Sequence, residues 1–381
     1  MTRVAIVSTT HGRGHGAEVV LGELLRAWHE ETLPLTVLAP PGSAAATMAS
    51  AARVRWVPFG TSRDAIIPNM MATRAATPHL RGIGLVHAWS ARALEPSWWI
   101  GRRLGVTSTA TLHDHPDAAS RLRRRLWRVT ANLQEAIAFP SAALESAWRG
   151  AGFSRRSQVI PNGLHELGSS RQDSARDTVV IGFVGMHAAW KGFDIVSEWA
   201  RREWPNSVRW AFFGEASVPL ADSAAALAAE LGTRARFEGQ QPRERIFPNI
   251  DILAHCSTSF DPFPTVLLEA ANAGVPVVAS GLGGAGEIVV HRETGYLFDP
   301  GAPEVGLAYL RNLVSDRGLR ARLGAAARTR FDRLFLATRM ADGYADFWNA
   351  ALSARHRDPA DSAAESDRLA EQPQREAWRR V

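Results

Sequence analysis

Short apolar runs alternate along the chain with longer stretches whose apolar residues recur at helical spacing. RVAIVS, LTVLA, VRWVPF, GLVHAW, TSTATL, EAIAFP and SQVIP read as strands, and helices are expected to start near Ala17, Ala91, Asp117 and Ser141. A second set follows: VVIGFVG, VRWAFFG, ARFEG, DILAHC, VPVVAS and GYLF, again separated by helical stretches. Strands that are apolar almost throughout are buried on both faces, and strand–helix alternation makes them parallel. The pattern predicts an α/β chain with two Rossmann-like, doubly wound parallel-sheet domains. Their expected bounds are 1–165 and 179–333, joined by a polar linker over 166–178. A last amphipathic helix is expected over 334–354, returning to the first domain, and a mobile tail over 355–381. Ligands of such sheets bind beyond the carboxyl ends of the strands, so two domains imply a site in the cleft between them.

Composition narrows this picture. The chain has 46% apolar and 22% charged residues, the balance of a globular protein. Its one cysteine, Cys256, allows no internal disulfide and fits a reducing compartment. The start, MTRVAIVSTT, lacks the apolar run of a secretion signal, and no window approaches the length of a membrane span, so a cytoplasmic location is expected. The net charge of +6 suits anionic partners such as nucleotides, phosphates or a membrane surface, and equally reflects a general arginine bias. No nucleic-acid-binding motif accompanies it.

Against that arginine background one residue stands out. The only lysine, Lys191, lies in GFVGMHAAWKGFD, just after an apolar strand. A compact ammonium on a flexible stem differs from a planar guanidinium fork, so one site can need the first where the surface accepts the second, and a lone lysine can equally fall there by chance. In DPFPTVLLEAANAGVPVVAS, Pro262 and Pro264 stop regular structure and let a helix begin near Thr265. The first N–H groups of that helix lack partners and its dipole is positive there, which suits a diphosphate. From spacing alone, Asp261 and Glu269 also fit a solvated loop acid and a surface helix residue. GRGHGAE carries glycines 12, 14 and 16, which permit tight turns near a ligand or serve structure alone. GLGGAG (281–286) matches a dinucleotide fingerprint, but only about six residues of helix follow it, short for a βαβ crossover. His113, Asp114 and His115 supply candidate metal ligands, yet nothing else in the sequence argues for a metal. SRLRRRLWRVTANL (120–133) reads either as a basic helix on an anionic bilayer or as a solvated face packed on its own domain. Trp89 and Trp190 are candidate sugar-stacking surfaces.

The ordered set of motifs resembles the retaining GT-B glycosyltransferases, specifically the large family 4 group. DPFPTVLLEAANAGVPVVAS is similar to their donor-site motif of two acids separated by seven residues, with Asp261 in the position that is most often glutamate. The resemblance extends to GRGHGAE, TLHDHP, VIPNGL, FVGMHAAWKGFD and GGAGEIVVHRETGYLF, in the family's order. It implies transfer of a sugar from a nucleoside-diphosphate sugar to a glycan, lipid-linked or small-molecule acceptor, without a metal or other cofactor. It makes the first domain the acceptor side and the second the donor side. On that resemblance Lys191 and the amides of Phe263, Thr265 and Val266 hold the diphosphate, and Glu269 binds the ribose. Asp261 orients sugar hydroxyls, His113 contacts the sugar from the other domain, and the Gly14–Gly16 loop shapes the reaction face. The GLGGAG turn is expected beside the nucleotide ribose, with Glu287 behind it. The family's Gly-Arg pair is here Gly185-Met186, so its arginine is missing. Three further readings remain: a sugar-nucleotide epimerase on the same fold, a NAD-dependent oxidoreductase using GLGGAG, and a catalytically silent nucleotide-sugar binder, which the Asp261 and Met186 departures leave open. The resemblance also admits peripheral contact of Arg121–Arg128 with an anionic membrane.

Overall fold

The structure, a computed structural model, describes residues 2–11, 16–29, 33–60, 66–167 and 177–354, with the backbone alone over 66–70. Gly14, most of the expected linker and the expected tail lie outside the described residues.

Every strand read from the apolar runs forms. The first sheet contains β1 (Arg3–Val7), β2 (Leu35–Ala39), β3 (Arg55–Pro58), β4 (Ile83–Ala88), β5 (Thr107–Thr111), β6 (Ala136–Phe139) and β7 (Arg156–Val159). The second contains β8 (Val179–Val184), β9 (Val208–Phe213), β10 (Ala235–Gly239), β11 (Ile252–His255), β12 (Val277–Ser280) and β13 (Gly295–Phe298). Their spatial orders are β3-β2-β1-β4-β5-β6-β7 and β10-β9-β8-β11-β12-β13, with parallel pairing throughout. Both are doubly wound, and each reverses direction once: between β1 and β4, and between β8 and β11. Loops leaving those strand ends diverge and open a crevice.

Helices cover both faces. Around the first sheet run α1 (Gly16–Ala27), α2 (Ala44–Ala51), α3 (Ile66–Ala76), α4 (Leu94–Leu104), α5 (Arg121–Ala131) and α6 (Ala142–Gly150). Around the second run α7 (Phe193–Arg201), α8 (Ala221–Leu231), α9 (Arg243–Ile246), α10 (Thr265–Asn272), α11 (Ala285–Ile288), α12 (Pro303–Ser315) and α13 (Arg317–Leu334). The period-2 rule sorts the strand side chains: Val4 and Ile6 join one apolar cluster while Ala5 and Val7 join the cluster on the opposite face.

The last helix, α14 (Ala337–Ala354), packs on the first sheet, against β4 and β5, although its sequence follows the second. Met340, Tyr344, Phe347 and Trp348 of its apolar stripe are buried with Val4, Ile6 and Leu85. A polar contact fixes its register. Trp348 Nε1 donates to His87 Nδ1 at 3.1 Å, and an indole can only donate, so Nδ1 accepts and Nε2 carries the ring proton toward Thr111 Oγ1 at 2.9 Å. Thr111 in turn meets Tyr344 Oη at 2.9 Å. Burial lowers His87 to about 3, which keeps the ring neutral. These contacts explain why TSTAT, polar by composition, forms a fully buried strand.

Candidate active site

The topology brings Lys191 and Asp261 together. Lys191 leaves the end of β8 and Asp261 the end of β11, the two strands that flank the reversal of the second sheet. Lys191 Nζ lies 2.7 Å from Asp261 Oδ2, and both side chains are mostly buried. The tight turn at Lys191 depends on Gly192, which has φ +72°; a Cβ there would stand 1.8 Å from the Cys256 carbonyl oxygen. The same Lys191 ammonium sits 4.5 Å from the centroid of the Trp190 ring, which is 47% exposed. Below the pair, His255 is lowered to about 4 by burial and then by the Lys191 charge, so it adds no cation.

Helix α10 begins at Thr265, as the prolines predict, with Pro264 as a cap residue that offers no side-chain hydrogen bond. Its first amides are therefore open donors. Asp261 is four residues upstream, so its Cα lies within ~14 Å of that helix start even if the intervening backbone were fully extended, and its carboxylate holds Lys191 Nζ. The start of α1 meets it from the first domain: a Cβ on Gly16 would be 4.0 Å from Thr265 Oγ1. Two positive helix ends thus face one place from opposite sides of the cleft. Phe263 is buried, while Thr265 and Val266 are partly open.

Glu269 lies one helical turn beyond Thr265. Burial pushes its carboxyl up to about 7; the Arg243 guanidinium opposes that rise, and Glu23 and Glu244 add to it. Arg243, in α9, reaches across to Glu23 of α1, Nη2 to Oε1 at 3.1 Å. Glu23 also accepts from the His165 backbone N–H at 2.7 Å and meets His165 Nδ1 at 2.6 Å and Arg26 Nη2 at 2.8 Å. Burial alone would raise the Glu23 carboxyl, but Arg243, His165 and Arg26 outweigh it and hold it below the ordinary glutamate range.

His113 follows β5 on the first-domain side. Burial lowers it to about 4, so the ring is neutral, and its Nε2 is enclosed with no hydrogen-bond partner among the described residues. A neutral imidazole with one open nitrogen can exchange a hydrogen bond with a sugar hydroxyl. Its neighbours Asp114 and His115 turn to other partners: Asp114 Oδ2 accepts from Ala91 N–H at 3.3 Å and His115 Nδ1 from Asp117 N–H at 3.2 Å. Among the described residues no group of three or more His, Cys, Asp or Glu is placed to hold a metal ion.

One expectation needs correction, and two further features find their place. Trp89 does not present a sugar-stacking face: it is 1% exposed and its Nε1 donates to the Ala17 carbonyl at 2.8 Å, so it supports the start of α1 from below. Glu287 turns toward the first domain. Its two carboxylate oxygens accept from the Ala142 and Ala143 N–H groups at 2.9 Å, which caps α6 of the other domain. GLGGAG opens no dinucleotide crossover, as the short helix read after it implies. The helix after it, α11, spans four residues, and Gly283, at φ +65°, packs where a Cβ would be 2.1 Å from the Asp261 carbonyl oxygen. Its glycines serve that close approach to the Asp261–Pro262 backbone.

Glu23, Arg243 and His165 were not among the residues read from sequence as functional. Glu23 had left a trace: it shares a helix face with Val20, Leu24 and Ala27, a carboxylate in an apolar stripe. Arg243 had none, since QQPRERI reads as an ordinary polar loop.

The sequence model for "Glycosyltransferase Family 4" matches residues 3–166, and that for "Glycosyl transferases group 1" matches residues 169–330. The two lie end to end across both sheets. The chain belongs to the GT-B glycosyltransferases of the family 4 type. Within the family, a D-inositol 3-phosphate glycosyltransferase of Corynebacterium efficiens is 33% identical over 159 residues, 39% of this chain and 37% of that protein. The match to a second such enzyme, from Xylanimonas cellulosilytica, spans 42% of that relative's length, so these two relatives are matched over less than half their length. The lipopolysaccharide core biosynthesis glycosyltransferase LpsE of Rhizobium meliloti is 26% identical over 82% of this chain and 89% of that one. In fold, the crystal structure of HepE of Anabaena in complex with UDP superposes with a TM-score of 0.80 at 21% identity, over 92% of this chain and 100% of that chain.

Proposed function

We propose that the protein transfers a sugar, with retention of anomeric configuration, from a nucleoside-diphosphate sugar to an acceptor bound on the first-domain side of the cleft. The observation that carries this reading is the convergence of Lys191, paired with Asp261, on the same loop that opens α10. The leaving diphosphate gains negative charge as the sugar bond breaks. An ammonium and the open amides of Thr265 and Val266 are then placed to stabilise that charge more than the ground state, which is what lowers a barrier. Glu269 accepts the ribose hydroxyls, and donor binding releases Lys191 from Asp261 so that the carboxylate can take sugar hydroxyls. His113 offers its free nitrogen from the opposite wall. No metal or other cofactor has a part in this scheme. HepE is solved with UDP, and its companion structure with UDP-glucose, which favours a uridine diphosphate donor.

The acceptor side carries its own cue. Leu122 and Val129 of α5 and Leu133 just beyond it recur on one helical face and are 80%, 60% and 43% exposed. Arg121, Arg123, Arg124, Arg125 and Arg128 surround them; Asp117 pairs with two of these, Arg124 and Arg128. Such a face suits an anionic bilayer and hence a lipid-linked acceptor. No described helix is long and apolar enough to cross a membrane.

The test is transfer from radiolabelled UDP-sugars. Lys191→Ala and Glu269→Ala should each lose at least ~100-fold in rate while melting within a few degrees of wild type. Undiminished transfer in either variant removes that residue from the mechanism. Product from donor alone, with no acceptor, would instead favour the epimerase. Sedimentation with phosphatidylglycerol but not phosphatidylcholine vesicles, lost in Leu122→Ser/Val129→Ser, checks the bilayer contact.

A further inference from the structure

Trp190 is a large aromatic side chain left 47% exposed in the loop that follows β8. Its backbone is fastened to the loop that follows β11. The Trp190 carbonyl accepts from Thr258 N–H at 3.0 Å, and the Ala189 carbonyl accepts from Thr258 Oγ1 at 3.1 Å. Thr258 stands three residues before Asp261. One loop therefore carries both the tie that holds the Trp190 backbone and the carboxylate that holds Lys191. The ammonium meets both partners: it is 2.7 Å from Asp261 Oδ2 and lies over the Trp190 ring, 4.5 Å from its centroid. Lys191 is the only lysine or arginine within residues 185–192, and Met186 near the start of that loop, 45% exposed, brings no charge.

We propose that Trp190 is a positioning residue for the leaving group: its ring keeps the Lys191 ammonium in place while a diphosphate displaces Asp261. This rests on the reading of Lys191 as a diphosphate contact. A lysine has a flexible four-carbon stem and loses rotamer freedom when its head is fixed, so an ammonium released by one partner drifts unless a second one holds it. An indole face attracts a cation through its quadrupole. Unlike a carboxylate, it sets no full negative charge against the incoming phosphates. The ring can thus stay on the ammonium through the exchange, whereas Asp261 competes with the diphosphate for it. Indole is the strongest aromatic partner in such a contact, phenyl is weaker, and an alkyl side chain has no quadrupole to offer. Trp190 acts through Lys191, so its contribution should grow with the charge on the departing diphosphate.

The experiment is a double-mutant cycle on the full chain: Trp190→Phe, Trp190→Leu, Lys191→Met and the two double variants. Each is read by calorimetric titration of UDP, GDP and ADP, and of inorganic pyrophosphate. Trp190→Phe should weaken pyrophosphate and the preferred nucleoside diphosphate alike by about threefold, and Trp190→Leu by about tenfold. In transfer from the radiolabelled donor, kcat at saturating donor should fall in the same order, by more than donor KM rises. With Lys191→Met in place, either ring substitution should change affinity less than about twofold, because the partner it served is gone. Equal affinity in wild type, Trp190→Phe and Trp190→Leu would overturn the proposal, as would ring substitutions that cost as much beside Lys191→Met as beside lysine. A loss confined to the nucleotides, with pyrophosphate unchanged, would make the ring a stacking surface for the nucleoside and overturn it as well. In these three cases a weakened Lys191→Met leaves the diphosphate reading of Lys191 standing. If Lys191→Met binds pyrophosphate as wild type does, or wild type binds none of the four ligands, that reading falls and this inference falls with it. Should Trp190→Leu fail to fold, Trp190→Met, long and without a ring, takes its place.

Discussion

Two buried ion pairs lie in the cleft, and they are made differently. Lys191–Asp261 joins two loops of one sheet, both fixed by neighbouring strands. Arg243–Glu23 joins one domain to the other and exists only while the two are in contact. The first is a property of a fold, the second of an arrangement. On the proposed function the first pair serves the leaving group, while the second forms only when the two halves of the cleft meet.

Removing the first pair should give the largest effect. Lys191→Ala is expected to cut transfer by ~10²–10³, and Lys191→Arg should also be impaired, because a planar fork cannot replace a point charge at a turn this tight. Steady-state rates at saturating donor and acceptor check this, and near-normal activity in Lys191→Arg would show that charge alone suffices. Next in size is the pH response through Glu269. Its carboxyl is raised to about 7, so the ionised acceptor form is lost as pH falls from 8 to 6; donor affinity should fall several-fold over that range. The sign for stability is opposite. A carboxyl raised above its unfolded value of 4.5 favours the folded state at low pH, and that contribution is lost as pH climbs through 7. Glu269→Gln should flatten both profiles, and an unchanged pH dependence in that variant would assign the titration elsewhere.

Smaller effects should come from contacts between domains that touch no substrate. Glu287 caps α6 across the cleft, a contact of about 1 kcal/mol in comparable caps. Glu287→Gln should therefore lower the melting temperature by a few degrees or less and change transfer less than tenfold. A loss as large as that of Lys191→Ala would mean that closing the domains, not stabilising the diphosphate, limits the rate.

The same contrast governs what the sequence could reveal. All the strands were legible because each is a run of apolar residues buried on both faces, and strand ends located Lys191 and Asp261. The helices were less plain. AAATMASA of α2 is nearly all alanine and shows no polar face to mark it. Helix α5 starts at Arg121 and not near Asp117, because Asp117 lies ahead of it and pairs back to Arg124 and Arg128. Trp89 was misread because a tryptophan after a strand can stack on a ligand or prop a neighbouring helix, and only packing decides. Arg243, Glu23 and Glu287 were invisible as partners. Their contacts join segments more than 140 residues apart in sequence, and nothing local to any of them encodes the meeting.

In the proposed function a lone ammonium and the first amides of α10 share one diphosphate. A crystal structure of the protein with its nucleoside diphosphate tests this most directly. Phosphate oxygens are expected within hydrogen-bonding distance of both Lys191 Nζ and the Thr265 N–H, with Asp261 released from the lysine. A diphosphate bound away from either group, with the Lys191–Asp261 pair intact, would contradict it.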